Sequence, residues 1–152
     1  MLNVGEAMAV PLIRQVKEET IDTWVHIIDA PPGTACPLVA TIVDADIVVM
    51  VTEPTPFGLH DLSIAVAVTE KLKIPLGLVI NREREKFQPL EKYIRDNRMG
   101  VISRIPEDRR IAECYSRGQI IIEALPEYRP LFSDLAINIG KAFGKSVTGV
   151  KT

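Results

Sequence analysis

The sequence predicts an α/β domain with a doubly wound, mostly parallel sheet and helices on both faces. Three short apolar runs rich in β-branched residues lack polar alternation, as strands buried on both faces of a parallel sheet do. These runs are Val25–Ile28, Ile47–Val51 and Leu76–Ile80. A segment of helical length separates the second and third runs, and a shorter apolar segment separates the first and second. This alternation of strand and crossover is typical of the α/β class.

Length and composition favour one ordinary globular domain spanning residues 1–152. Apolar residues make up 47% of the chain and charged residues 25%, with a formal net charge of −2. No basic excess is present, so we expect no nucleic-acid footprint. No apolar run approaches the roughly 20 residues of a membrane helix, and the first residues lack the pattern of a secretory signal. We therefore expect a cytoplasmic protein whose two cysteines are reduced.

The remaining elements follow from periodicity, caps and breakers. The sequence predicts a first strand over Ile21–Ile28, a fourth over Met99–Ile105 and a short fifth over Gln119–Glu123. Thr55 and Pro56 are typical of a helix start, and that helix should end near Lys73. The other predicted helices are Val10–Lys17, Cys36–Val43, Pro89–Asn97, Glu107–Arg117 and Glu127–Phe143.

The residues that follow the strands are the candidates for chemistry, because parallel sheets bind ligands at the carboxyl ends of their strands. Asp29 and Gly33 follow the first run, Thr52–Gly58 the second, and Asn81 with Arg82 the third. An aspartate at a strand exit can hold Mg²⁺ beside a triphosphate. A glycine four residues later offers an N–H group to the γ-phosphate. The alternative is an aspartate capping a turn that the glycine fills.

A longer string makes this pattern specific. Residues 29–62 read DAPPGTACPLVATIVDADIVVMVTEPTPFGLHDL, and Val79-Ile-Asn-Arg82 and Arg104-Ile-Pro-Glu-Asp108 follow. This order resembles the C-terminal part of MinD/ParA-like (CobQ/CobB/MinD/ParA) P-loop ATPases, and is nearest to MinD-superfamily ATPases with an inserted ferredoxin domain. The resemblance extends from about Gly5 to Phe143. It implies part of a P-loop NTPase fold that binds ATP or ADP with Mg²⁺ and acts as a nucleotide-dependent switch.

The resemblance also implies roles for individual residues. Asp29 would be the switch II aspartate near Mg²⁺, and Gly33 the glycine that senses the γ-phosphate. Asn81 would hydrogen-bond the adenine edge, with Arg82 beside it. The loop closing over adenine and ribose would contain Ile105, Pro106, Glu107 and Asp108. Residues Glu53–Asp61 would lie near the face where two nucleotide-bound subunits meet.

One departure from the family is large. The chain contains no G-x-x-x-x-G-K-[ST] motif, and the P-loop supplies most of the phosphate binding in this chemistry. We therefore expect no ATPase activity from this chain alone. The missing half would come from a companion ATPase chain or from a longer form of the same chain. The alternative function is a non-catalytic partner or scaffold domain of a companion ATPase.

Cys36 raises a second alternative. It lies seven residues after Asp29, the offset at which the related nitrogenase iron protein carries a ligand of a [4Fe–4S] cluster shared between subunits. The resemblance thus implies an iron–sulfur carrier, or a domain serving iron–sulfur or metallocofactor processes with a ferredoxin-type partner. Such clusters need four thiolates, and a homodimer would offer two from Cys36. The simpler interpretation is a small, buried or half-buried thiol.

Overall fold

A parallel sheet of three strands forms the centre of the described part of the protein. The computed structural model describes residues 9–18, 25–30 and 36–142. Its strands are β1 (Val48–Thr52), β2 (Leu76–Glu83) and β3 (Val101–Pro106), in the spatial order β1-β2-β3. The helices of the described part are α1 (Ala9–Glu18), α2 (Cys36–Ile42), α3 (Pro56–Leu72), α4 (Gln88–Asp96), α5 (Arg109–Ser116), α6 (Ile121–Ala124) and α7 (Arg129–Ala142). One turn of 3-10 helix, Pro126–Tyr128, precedes α7. The predicted α/β class is confirmed.

The crossover helix α3 begins and ends where its sequence predicts. The Thr55 hydroxyl accepts a hydrogen bond from the Gly58 N–H at 3.0 Å, and Pro56 takes the first helical position. Both features stabilise a helix start, because they satisfy or remove amide donors that lack a partner within the helix. At the other end Lys73 adopts a left-handed conformation, with φ of 57°, and its N–H group bonds back to Glu70. The chain then enters β2 at once.

The central strand β2 carries the most deeply buried side chains. Leu78 and Ile80 are 0% exposed and Val79 is 2% exposed. Neighbouring residues of a strand point to opposite faces, so both faces of β2 are covered. Leu78 and Ile80 pack in one cluster with side chains from α3 and α4, namely Leu62, Val66, Leu90 and Ile94. This cluster fixes the carboxyl end of β2, where the candidate site begins.

A second cluster attaches the amino-terminal helices to the sheet. Leu38 and Ile42 of α2 pack with Val48 of β1 and with Ala65 of α3. Lys17 of α1 then donates hydrogen bonds to the carbonyl groups of Ala40 (3.3 Å) and Val43 at the end of α2. A cation at a helix C-terminus complements the carbonyl groups that lack helical partners. This contact ties α1 to α2.

The predicted first strand, Ile21–Ile28, is wrong over its described part. Residues 25–28 have no regular secondary structure, and the side chains of Val25 and Ile27 are 63% and 93% exposed. A strand requires a hydrogen-bonded neighbour, and the sheet of the described residues contains only β1, β2 and β3. Residues 21–24 lie outside the described part of the chain.

The predicted fifth strand is also wrong, because Ile121–Ala124 form the short helix α6. Gly118, with a φ of 66°, ends the preceding helical segment. The Leu125 N–H group then donates to the Ile121 carbonyl at 2.8 Å, which closes one helical turn. The run of isoleucines has β-propensity, but no neighbouring strand pairs with it in the sheet of the described residues.

Candidate functional site

The carboxyl ends of the three strands meet around one guanidinium group. Arg82, near the end of β2, donates from Nη1 to Glu53 Oε1 at 3.3 Å, just beyond β1. Its Nη2 lies 3.6 Å from Glu107 Oε1, just beyond β3. All three side chains are 42–59% exposed, so each ion pair is worth about 1 kcal/mol or less. Arg82 therefore bridges three strand exits through contacts that are easily exchanged.

Arg82 sits in a bulge with an unusual backbone. The register between β2 and β3 shifts between Ile80 and Glu83, and Arg82 has a φ of 56°. A non-glycine residue in this left-handed region costs roughly 1–2 kcal/mol. Residues held in such conformations cluster at ligand sites, where the surrounding structure maintains them. The bulge marks this strand end as a candidate functional feature.

Asn81 immediately precedes the bulge residue. Its side chain is half-buried, and within the described residues its amide group makes no side-chain hydrogen bond. A primary amide offers two donors and an acceptor in one plane, which matches the edge of a purine base. Across the bulge, Ile105 is half-buried and Pro106 is exposed at the end of β3. The residues predicted for the base end thus occupy neighbouring strand exits.

Asp108 has a different environment from Glu107. Its carboxylate accepts a hydrogen bond from the Arg110 N–H at 2.8 Å, as the N-cap of α5. It also pairs with the Arg110 guanidinium at 2.6 Å and accepts from the Tyr128 hydroxyl at 2.8 Å. Arg110 in turn pairs with Glu127 at 2.8 Å. The Asp108 side chain therefore joins α5 to the turn before α7, and α5 starts at Arg109 rather than at the predicted Glu107.

These contacts keep the Asp108 carboxyl ionised. The hydrogen bonds from Arg110, and then that from Tyr128, hold the pKa of Asp108 far below its ordinary value of 3.8. The same pair raises the pKa of Arg110. For Tyr128, burial is the main cause of a raised pKa, and the hydrogen bond to Asp108 adds to it. The chain thus maintains a fixed negative charge one residue after Glu107.

The charge of Asp108 predicts an acid-dependent stability. A lowered pKa stabilises the fold above the ordinary aspartate pKa, and this contribution is lost as the pH falls towards the pKa of the folded state. We expect Asp108→Asn, which can still cap α5, to lower the melting temperature at neutral pH. The difference from the wild type should shrink below about pH 4. Thermal unfolding from neutral to acidic pH measures it, with the exposed Asp134→Asn as control. A pH-independent difference would contradict the prediction.

A tight turn connects β1 to α3 beside Arg82. The Thr52 hydroxyl donates to the Gly58 carbonyl at 3.0 Å, and the Thr55 N–H donates to the Glu53 carbonyl at 2.8 Å. At this end of β1, Val51 is 63% exposed and Phe57, in the first turn of α3, is 75% exposed. The turn therefore holds Glu53 in place and presents apolar side chains to solvent.

The other predicted site residues are less fully described. Asp29 is exposed within the segment 25–30, and Gly33 lies outside the described residues. Cys36 begins α2, and its side chain lies outside the described part. Cys114 is a free thiol buried in α5. Among the described residues, no three His, Cys, Asp or Glu side chains form a group suited to a metal ion.

Sequence reasoning missed a cluster behind the bulge. Arg104 of β3 pairs with Glu83 of β2 and with Glu91 of α4, where it forms hydrogen bonds of 2.8 and 3.1 Å. All three side chains are partly buried. Only the match of charges could have suggested this set, since the three residues belong to different elements. Tyr128 carried no sequence signal at all.

Two proteins of Methanocaldococcus jannaschii are similar to the chain in sequence. Uncharacterized protein MJ0579 is 35% identical over 123 residues, which cover 80% of this chain and 42% of that protein. Uncharacterized protein MJ0578 is 36% identical over 62 residues, which cover 40% and 22%. The chain thus spans less than half the length of either relative. No family model matches it.

A solved structure shows the same fold. The MinD cell division protein of Aquifex aeolicus superposes with a TM-score of 0.63 and 17% sequence identity. The alignment covers 95% of this chain and 62% of that protein. In the described part of the present chain, helices long and apolar enough to cross a bilayer are absent. At this level of identity the likeness concerns architecture: the chain has a MinD-like α/β fold.

Proposed function

We propose that the chain is the ATP-binding switch domain of a MinD/ParA-like ATPase and contributes the base-binding end of the site. The observation that carries the proposal is that the side chains of Glu53, Arg82 and Glu107 meet where three parallel strands end. Asn81 directly precedes Arg82, and its side-chain amide has no hydrogen-bond partner among the described residues. Ligands of open parallel sheets bind at this edge. The planar amide and the guanidinium suit a purine base, by edge hydrogen bonds and by stacking.

The sequence indicates that the phosphates are held elsewhere, because it contains no P-loop motif. The phosphate cradle would therefore come from a companion ATPase half, and Asp29 and Gly33 would form the switch that orders around Mg²⁺–ATP. The exposed side chains of Val51 and Phe57 are available to a second subunit, which supports pairing through Glu53–Asp61.

Nucleotide titration tests the proposal. We expect the isolated chain to bind adenosine and Mg²⁺–ATP weakly, with similar affinity, and to show no ATP turnover. Asn81→Ala should abolish the adenosine response, because it removes the only edge-binding amide in the proposal. Asn97→Ala, at the end of α4, is the matched control and should bind as the wild type does. Wild-type binding of adenosine that survives Asn81→Ala would refute the assignment, and so would an ATPase activity that depends on Asp29.

A non-catalytic partner or scaffold domain is the second candidate. The sequence lacks a P-loop motif, and this feature favours a scaffold as much as it favours one half of an ATPase site. Absence of any adenosine response, together with stable binding to a companion ATPase, would support the scaffold instead.

The iron–sulfur function is a separate proposal that rests on the sequence resemblance and on Cys36. Iron and sulfide analysis of anaerobically purified protein tests it. Loss of bound iron in Cys36→Ser, but not in Cys114→Ser, is the expected result. Iron-free wild-type protein would argue against a carrier.

A further inference from the structure

The partly buried ion cluster behind the bulge connects β3 and α4 to the end of β2 at the ligand edge. Arg104 Nη1 donates to Glu83 Oε1 and, at 2.8 Å, to Glu91 Oε1, while Nη2 reaches Glu91 Oε2 at 3.1 Å. The exposed fractions of the Arg104, Glu83 and Glu91 side chains are 30%, 16% and 18%. The Arg104 guanidinium thus binds Glu91 through two hydrogen bonds and Glu83 through one.

We propose that Arg104 is a positioning residue: through Glu83 it holds the bulge that presents Asn81 and Arg82 to the ligand. The role in ligand binding rests on the proposed function, whereas the role in holding the bulge stands on the structure of the chain alone.

Both sides of the bulge are held in place by the surrounding structure. Ile80, on one side, is 0% exposed in the main core cluster. Glu83, on the other side, is bound twice: its carbonyl accepts from the Glu107 N–H at 3.1 Å, and its carboxylate pairs with Arg104. The left-handed Arg82 is therefore strained between two fixed points. Strained conformations persist only where the surroundings over-determine them, and Arg104 supplies one of these restraints.

The outer ion pairs are poor candidates for the same task. The pairs of Arg82 with Glu53 and Glu107 are solvent-exposed, and exposed pairs contribute little and are screened by salt. The Arg104 cluster is more buried and bidentate towards Glu91, and such pairs are the stronger ones. The hydrogen bond between them raises the pKa of Arg104 and lowers the pKa of Glu91, so both stay charged. The Arg104–Glu83–Glu91 cluster therefore holds the backbone of the bulge. The exposed pairs of Arg82 with Glu53 and Glu107 allow Arg82 to exchange these partners for a ligand.

Nuclear magnetic resonance of the full chain tests the proposal. The three-bond coupling between the amide and α protons of Arg82, with its Cα shift, reports the left-handed backbone without any ligand. In Arg104→Leu we expect Arg82 to lose this signature, because Glu83 is no longer held. We also expect the dissociation constant for adenosine to rise about tenfold, since site residues tolerate only small displacements. Arg104→Lys should restore part of both, because an ammonium group reaches one carboxylate.

A matched control separates positioning from a general loss of stability. Lys92 and Asp96 form an exposed ion pair on α4, the helix that carries Glu91. Lys92→Ala should change neither the Arg82 signature nor adenosine binding. If Arg104 only stabilised the fold, Arg104→Leu would have a lower melting temperature, and the Arg82 signature would stay as in the wild type.

Arg82 keeping its left-handed signature in folded Arg104→Leu would overturn the proposal. Should that variant not fold, Glu83→Gln decides on the same criteria, because it weakens the link to the bulge and keeps the pair of Arg104 with Glu91. Failure of the wild type to respond to adenosine would count against the proposed function instead. The Arg82 coupling in the variants would still decide whether Arg104 holds the bulge.

Discussion

Gly58→Ala should destabilise the protein and disturb the ligand edge together. A Cβ atom at Gly58 would overlap the Glu53 carbonyl oxygen and lie 3.0 Å from Thr52 Oγ1. The nearest obstacle is backbone, so the turn between β1 and α3 must shift to make room. Such overpacking costs about 1–3 kcal/mol of unfolding free energy. Urea denaturation followed by circular dichroism measures it.

The matched control for this substitution is Gly100→Ala. A Cβ atom at Gly100 would have no neighbour within 4 Å, so the free energy of unfolding should change by less than about 0.5 kcal/mol. Gly58→Ala should also move the resonances of Glu53 and Arg82, since the shifted carbonyl belongs to Glu53. Equal stabilities of the two alanine variants would show that the turn is looser than the structure indicates.

Ile80→Ala should have the largest effect on stability. Ile80 is 0% exposed and packs among side chains of α3, α4 and β2. Truncation leaves a cavity that its neighbours fill only in part, at a cost of about 2–5 kcal/mol. The lost packing lies directly before Asn81, so adenosine binding should weaken as well. Urea denaturation and the adenosine titration measure the two effects.

Ile120→Ala tests whether burial is the cause. Ile120 is 58% exposed, and removal of the same atoms there should cost less than about 0.5 kcal/mol. A loss at Ile120 comparable to that at Ile80 would contradict the core described above. A small loss at Ile80 would do the same.

The sequence predicted those elements whose signals are local. Thr55 and Pro56 marked the start of α3, and the apolar runs over β1 and β2 lay within one residue of the observed amino-terminal bounds. A strand, however, depends on a neighbour. Residues 25–28 and 119–123 have strand-like composition, but within the described residues neither joins the sheet. Periodicity reports which side chains favour burial, whereas pairing depends on segments distant in sequence.

The candidate site was predictable to a similar extent. Asn81 and Arg82 were expected at a strand exit because parallel strands end at one edge, and Glu107 was expected near the ligand only from the family resemblance. The structure brings Arg82 and Glu107 within ion-pairing distance. The contact by which Asp108 joins α5 to the turn before α7 was not predicted, since it depends on Tyr128, 20 residues away. The ion pairs of Arg104 with Glu83 and Glu91 were not predicted for the same reason, because Arg104 is distant in sequence from both partners. The roles proposed for Asp29, Gly33 and Cys36 stay predictions.

The left-handed backbone at Arg82 also constrains how this position can vary. Glycine, asparagine and aspartate tolerate that conformation best, and β-branched side chains tolerate it worst. A homologue that dispenses with the positive charge yet preserves the chain path should therefore carry glycine or asparagine here, rather than valine or threonine. The residue type at this one position would then show whether a homologue has kept the shape, the charge or both.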